Sequence, residues 1–131
     1  MTSRVLLVED ESLVAMMVED CLVELGYEVA AVVASVDAAL QALQAGGIDC
    51  AMLDVNLGGT PSFPIAEALE ARGIPYMFVT GYDSAAIPAH FRPRHGLQKP
   101  FRVRDLQQAL ARLQEARDQA PVPSAARDGP A

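Results

Sequence analysis

The chain has 131 residues, 51% of them hydrophobic, and a formal net charge of −7 with a pI near 4.6. Its length suits one domain, and its apolar content excludes a mostly disordered chain. The acidic balance argues against direct nucleic-acid binding, because phosphate backbones need Lys and Arg side chains. We expect a cytoplasmic protein without membrane insertion, since no apolar stretch approaches the roughly 20 residues of a spanning helix and no signal peptide begins the sequence.

Short apolar runs alternate with segments of helical period through the first half of the chain. The first run, at residues 5–8, is apolar throughout, as is typical of a strand buried on both faces. Met16 and Met17 follow it, and we expect both to pack in the core. The predicted elements are, in order, a strand at 5–8, a helix at 12–25 that Gly26 ends, a strand at 29–34, and a helix that Ser35 caps and Gly46 ends.

The second half continues the same alternation. The predicted elements are a strand at 50–53, a Gly/Pro loop, a helix with Pro64 in its first turn, a strand at 76–79, a weak strand at 96–98 and a helix at 103–113. Pro88 and Pro93 interrupt the segment 83–95, so we expect any helix there to be short and to have few buried contacts. We predict a folded domain over residues 1–117 and a disordered tail over 118–131, which is rich in Pro and small residues.

Five strands separated by helices predict an α/β fold, in which helices cover both faces of a parallel sheet. Chemically active side chains follow these strands where each one ends. The carboxyl ends of parallel strands meet at one edge of the sheet, where ligands bind, so we expect these side chains to converge. They are Glu9 and Asp10 after the first strand, Asp54 after the third, Thr80 at the end of the fourth and Lys99 after the fifth.

This set of side chains suits phosphoryl chemistry beside a metal ion. Three clustered carboxylates repel one another, and a hard cation such as Mg²⁺ or Mn²⁺ relieves that repulsion. A carboxylate such as Asp54 can attack phosphorus and form an aspartyl-phosphate. Lys99 and the Thr80 hydroxyl would then stabilise the charge on the phosphoryl oxygens.

Four motifs in this order resemble the receiver domain of two-component response regulators. They are Val5-Leu-Leu-Val-Glu9-Asp10-Glu11, Met52-Leu-Asp54-Val-Asn56-Leu, Phe78-Val-Thr80-Gly81-Tyr82 and Lys99-Pro100-Phe101. The resemblance extends over residues 4–113. It implies a flavodoxin-like, doubly wound sheet of five parallel strands in the order 2-1-3-4-5, with a fourth helix that we expect to be short or disordered here.

The resemblance also implies a role for each motif residue. Asp54 matches the phospho-acceptor, which also contacts the metal ion. Asp10 matches the direct metal ligand, and Glu9 matches the acidic neighbour that acts through water. The main-chain carbonyl of Asn56 matches the third protein ligand, and its side chain is implied to face the phosphoryl group.

The remaining two roles belong to Thr80, which matches the switch hydroxyl, and Lys99, which matches the phosphate-binding lysine. A cis peptide between Lys99 and Pro100 is also implied.

Three further features resemble the FAT GUY subfamily of receivers, whose partners are often sensor kinases of the HWE or HisKA2 type. These features are Gly81 directly after Thr80, the run Leu57-Gly58-Gly59, and the run Arg72-Gly73-Ile74-Pro75. One position departs from the usual receiver pattern. Three residues before the lysine, where receivers carry an aromatic switch residue, this chain has Gly96. Tyr82 is therefore either a replacement for that switch or an exposed loop residue.

The sequence thus predicts a stand-alone response regulator that a sensor histidine kinase phosphorylates on Asp54. It would signal by binding a downstream protein or drain phosphoryl groups from the kinase, and its only chemistry would be self-catalysed transfer and hydrolysis, so it is not an enzyme in the usual sense. A first alternative, a phosphorylation-independent adaptor, is favoured only by Gly96. A second alternative is an aspartyl-nucleophile phosphatase of the haloacid-dehalogenase type. That type needs an Asp two residues after the nucleophile, where Asn56 stands.

Overall fold

The computed structural model describes residues 3–81, 87–91 and 96–119, with backbone only for 117–119. Its elements are β1 Arg4–Val8, α1 Ser12–Glu24, β2 Glu28–Val33, α2 Val36–Ala45, β3 Cys50–Asp54, β4 Asn56–Leu57, β5 Thr60–Pro61, α3 Phe63–Ala71, β6 Tyr76–Thr80, a 3₁₀ turn Ala89–Phe91, β7 Gly96–Gln98 and α4 Val103–Gln119. The helix α4 therefore extends two residues into the predicted tail, and residues 120–131 lie outside the described part.

Five parallel strands form the main sheet, in the order β2-β1-β3-β6-β7. Counted along the chain without the short strands β4 and β5, this is the predicted order 2-1-3-4-5. The flavodoxin-like, doubly wound fold is confirmed. The strands β4 and β5 form a separate antiparallel hairpin directly after β3, where the sequence predicted only a loop.

Helices cover both faces of the sheet, and the strand β1 shows why. Side chains of a strand point alternately to its two faces. Leu6 and Val8 pack in a core that α2 and α3 cover, whereas Val5 and Leu7 pack in a second core under α1 and α4. All four side chains are buried, which confirms that the continuous apolar run is a strand buried on both faces.

The helix α1 places fewer of its apolar residues in the core than its composition indicates. Ala15, Val18 and Leu22 are buried. Met16 and Met17 lie on the outer side of the helix and are 53% and 60% exposed, so the prediction that they pack in the core is wrong. The three buried residues repeat at intervals of three and four and define one face, which positions 16 and 17 do not share.

The segment between β6 and β7 is described only at Gly81 and residues 87–91. Its helical content there is the 3₁₀ turn, so a short helix is confirmed for the described residues. For residues 87–91, the expectation of few buried contacts is wrong, because Ile87 and Phe91 are buried in the core under α2 and α3. Residues 82–86, with Tyr82 among them, and residues 92–95 lie outside the described part.

Across the described ranges, no helix has the length and apolar character needed to cross a membrane.

Candidate functional site

Three carboxylates converge at the carboxyl edge of the sheet. Glu9 and Asp10 follow β1, and Asp54 ends β3, the strand that pairs with β1. One carboxylate oxygen from each residue lies within 4.8 Å of the other two. Glu9 is buried, Asp54 is partly buried and Asp10 is exposed, so the cluster opens to solvent on the side of Asp10.

Lys99 reaches the carboxylates from the end of β7, the strand at one edge of the sheet. It follows β7, and its Nζ lies 3.0 Å from Glu9 Oε1 and 3.4 Å from Asp54 Oδ2. Its main-chain N–H donates a hydrogen bond to the Thr80 carbonyl at 2.8 Å, and the peptide bond to Pro100 is cis, as the resemblance implied. The ammonium group therefore bridges the two less exposed carboxylates.

Burial and the neighbouring charges shift two pKa values in this site. Burial raises the pKa of the Glu9 carboxyl, although its hydrogen bonds with Lys99 and with the Glu11 N–H act in the opposite direction. Burial also disfavours the charged form of Lys99, but the hydrogen bond to Glu9 and the negative charge of Asp54 outweigh it. The pKa of Lys99 is therefore raised above its usual value, and its positive charge is retained at neutral pH.

Thr80 ends β6 and is 9% exposed. It lines the same cavity, of about 1000 Å³, as Asp10, Asp54 and Lys99. A Cβ atom added at Gly96 would lie 3.6 Å from Cγ2 of Thr80. The glycine that replaces the usual aromatic residue therefore lies beside the methyl group of the predicted switch residue.

Asn56 is the first residue of β4, and its main-chain N–H donates to Asp54 Oδ1 at 3.4 Å. Its side-chain oxygen, Oδ1, accepts a hydrogen bond of 2.6 Å from the Gly59 N–H. This amide oxygen is thus bonded within the turn, whereas the resemblance implied a side chain facing the phosphoryl group.

The hairpin β4–β5 was not predicted from the sequence, and the sequence analysis noted Gly58 without placing it beside Asp10. The signal was present. Gly58 and Gly59 are a two-residue loop between Leu57 and Thr60, and a Gly-Gly pair between short extended runs is typical of a tight hairpin.

The donor atoms of this cluster suit a hard divalent cation. Glu9, Asp10 and Asp54 offer carboxylate oxygens within the span of one coordination sphere, and Mg²⁺ or Mn²⁺ prefers such oxygen ligands. The bridging Lys99 does not block this arrangement, because the exposed Asp10 makes no ion pair with it. The residues of the site therefore fit a cation on its open side.

Comparison with known proteins identifies the family. The model of the response regulator receiver domain matches residues 5–111. No curated protein sequence is a significant match. Among solved structures, the solution structure of SdrG from Sphingomonas melonis Fr1 is 47% identical and covers 86% of this chain and 97% of its own, with a TM-score of 0.78.

Two further structures agree with this result. The BeF₃-activated conformation of SdrG, from Pseudomonas melonis Fr1, is 46% identical over 86% of this chain and 98% of its own, with a TM-score of 0.76. The receiver domain of the PhyR response regulator from Erythrobacter litoralis is 23% identical over 93% of this chain and 96% of its own, with a TM-score of 0.81, and it supports the fold alone. The chain belongs to the response regulator receiver domain family.

Proposed function

We propose that this receiver domain accepts a phosphoryl group from a sensor histidine kinase on Asp54, in a reaction that depends on Mg²⁺ or Mn²⁺, and that it signals by binding another protein. The observation that carries this proposal is the position of the Asp54 carboxylate. One of its oxygens lies within 4.8 Å of a carboxylate oxygen of Glu9 and of Asp10, and its Oδ2 lies 3.4 Å from the Lys99 ammonium.

Asp54 is the nucleophile in this proposal. Its side chain is 13% exposed, so one oxygen can reach a donor presented from solvent. That oxygen forms a bond to phosphorus while the bond from phosphorus to the donor histidine nitrogen breaks. The Asn56 N–H bonded to Oδ1 and the Lys99 ammonium near Oδ2 fix the orientation of the carboxylate.

Lys99 and Thr80 receive the charge of the transferred group. The Lys99 ammonium pairs with Glu9 and Asp54 before the reaction. After the transfer it can pair instead with a phosphoryl oxygen on Asp54, because it is already held beside the Asp54 carboxylate. The Thr80 hydroxyl would donate a hydrogen bond to another of these oxygens. A cation held by Glu9, Asp10, Asp54 and the Asn56 carbonyl would neutralise further charge on the phosphoryl oxygens.

The surface of α1 supports a protein donor. Leu13, Met16 and Met17 of this helix are all more than half exposed, and Met17 also lines the cavity with Asp54. Flexible Met side chains adapt to the surface of a partner protein. We propose that a kinase, of the HWE or HisKA2 type by the motif resemblance, contacts this surface while its phosphohistidine reaches Asp54.

Phosphorylation with acetyl phosphate and Mg²⁺ tests the proposal. Intact mass should show one added phosphoryl group on the wild-type protein, none on Asp54→Ala, and one on Asp20→Ala, an exposed control on α1. Equal labelling of Asp54→Ala would refute the assignment. No labelling of the wild type would support the adaptor, and continuous release of phosphate without accumulated label would support the phosphatase.

A further inference from the structure

The hairpin β4–β5 is tied to its own first residue. Gly58 and Gly59 form the turn, with φ of 60° and 95°, which are values in the region that favours glycine. The side-chain oxygen of Asn56 accepts the Gly59 N–H at 2.6 Å. Asn and Asp side chains commonly hold a turn in this way, and here the bond fixes β4 relative to the tip of the hairpin.

The pairing of the hairpin leaves the main-chain carbonyl of Asn56 outside the ladder. The Ser62 N–H donates to the Val55 carbonyl at 2.9 Å, so one bond joins residues 55 and 62 across the hairpin, whereas the Val55 N–H donates to the Val79 carbonyl in the main sheet. Hydrogen-bonded and non-hydrogen-bonded pairs alternate in an antiparallel ladder, and Asn56 and Pro61 are the next pair. Pro61 also has no N–H, so it cannot donate to this carbonyl.

The free edge of Asn56 faces Asp54. The Asn56 N–H donates to Asp54 Oδ1 at 3.4 Å. In a strand, the N–H and the C=O of one residue point to the same edge, since a hydrogen-bonded pair exchanges both bonds. The carbonyl of Asn56 is therefore on the edge that faces the Asp54 carboxylate.

The tip of the hairpin lies beside the second carboxylate of the cluster. A Cβ atom added at Gly58 would lie 3.6 Å from Asp10 Oδ2. The hairpin thus reaches Asp54 at its base and Asp10 at its tip, and a shift of its turn would move the Asn56 carbonyl relative to both.

We propose that the Asn56 side chain is a positioning group for the cation: its hydrogen bond to Gly59 holds the hairpin so that the Asn56 main-chain carbonyl, which Pro61 leaves free, lies at the edge of the carboxylate cluster. This inference rests on the proposed function, because it assumes that the cluster binds a divalent cation. It assigns the side chain to the turn and the main chain to the cation.

A matched pair of variants tests this role. Asn56→Thr keeps an oxygen that can accept the Gly59 N–H, whereas Asn56→Val has the same shape and no acceptor, and both keep the main-chain carbonyl. Groups that orient metal ligands typically contribute about 10- to 100-fold to metal affinity, so Mg²⁺ affinity should fall about tenfold in Asn56→Val and by a smaller factor in Asn56→Thr. The Gly59 amide should exchange with solvent faster in Asn56→Val alone.

Isothermal titration with Mg²⁺ and backbone NMR of the four proteins, wild type, Asn56→Thr, Asn56→Val and Asp10→Asn, complete the experiment. Denaturant unfolding checks that each is folded, and Asn56→Ala replaces the Val variant if the latter is unstable. Equal affinities of Asn56→Thr and Asn56→Val would overturn the inference while leaving the proposed function intact. If the wild type and Asp10→Asn bind Mg²⁺ equally or not at all, the proposed function fails, and the inference fails with it.

Discussion

Glu9 and Asp10 are neighbours in the chain but differ in what their carboxylates can do. The Glu9 side chain is 4% exposed and already paired with Lys99, whereas Asp10 is exposed at the open side of the cluster. A carboxylate with a compensating ammonium attracts a cation less strongly than one without it. We therefore expect Asp10→Asn to weaken Mg²⁺ affinity more than Glu9→Gln does. Titration of both variants measures this, and the reverse ranking would contradict the assigned roles.

The pairing of Lys99 predicts a dependence of stability on pH. In metal-free buffer, Lys99→Met leaves the Glu9 carboxylate unpaired, and we expect the free energy of unfolding to fall by about 2 kcal/mol near pH 7, as for a lost hydrogen bond between charged groups. Because the folded-state pKa of Lys99 is raised above 10.5, this contribution should be constant from the pH at which Glu9 is ionised up to pH 10.5 and disappear as pH rises through the folded-state pKa of Lys99. Lys99→Arg, which keeps the charge, should lose less. An unchanged difference at higher pH would contradict the pairing.

At the scale of single elements, two serines begin helices in different environments. Ser35 Oγ accepts the Ala38 N–H at the start of α2, as the sequence predicted. Ser62 begins α3, but its Oγ is buried and has no hydrogen-bond partner among the described residues. We expect Ser35→Ala to lower the free energy of unfolding by about 1 kcal/mol. Ser62→Ala should leave it unchanged or raise it by up to about 1 kcal/mol, since no hydrogen bond is lost. Denaturant unfolding measures both, and a loss of stability in Ser62→Ala would show an unrecognised partner.

Elements of regular period were predicted from local sequence, whereas the hairpin, whose only local signal is the Gly58-Gly59 pair, was not. The buried strands β1, β3 and β6 are continuous apolar runs, so their positions were predicted within a residue. The hairpin β4–β5 depends on one turn and two pairs of residues, which give no periodic signal. Met16 and Met17 were misplaced because α1 is apolar on nearly all sides, and only packing against the sheet selects its buried face.

At the scale of the whole molecule, the convergence of Glu9, Asp54 and Lys99 followed from the parallel sheet alone, whereas the order of the strands came from the resemblance. Two adjacent strands can be exchanged without changing their apolar pattern, so local sequence does not determine their order. The distances between the site residues and the bonding of the Asn56 side chain depend on tertiary structure, which local sequence does not determine.

An aromatic cluster connects the site to the segment after β6. Phe78 lies two residues before Thr80, and its ring contacts Phe91 edge to face at 5.9 Å between centroids. Phe63 at the start of α3 contacts both rings. A closely packed cluster transmits a small displacement of one side chain to its neighbours, because it has little free space to absorb that displacement. A change at Thr80 can therefore reach residues 87–91 through Phe78.

We predict that the response to phosphorylation passes from Thr80 into the segment after Gly81, because Gly96 has no aromatic ring to rotate. The Thr80 hydroxyl would move to hydrogen-bond the phosphoryl oxygens, and Gly81 lets the backbone follow. Adding beryllofluoride, which gives the activated conformation of SdrG, should shift the backbone amide signals of residues 80–95, including the buried Ile87 and Phe91.

Thr80→Ser keeps the hydroxyl and should retain these shifts. Thr80→Val has the shape of threonine without the hydroxyl, so it should retain the shifts around Asp54 and lose those at residues 87–91. Shifts confined to Asp54 and Lys99 in the wild type, or an identical response of the two variants, would show that the signal takes another route.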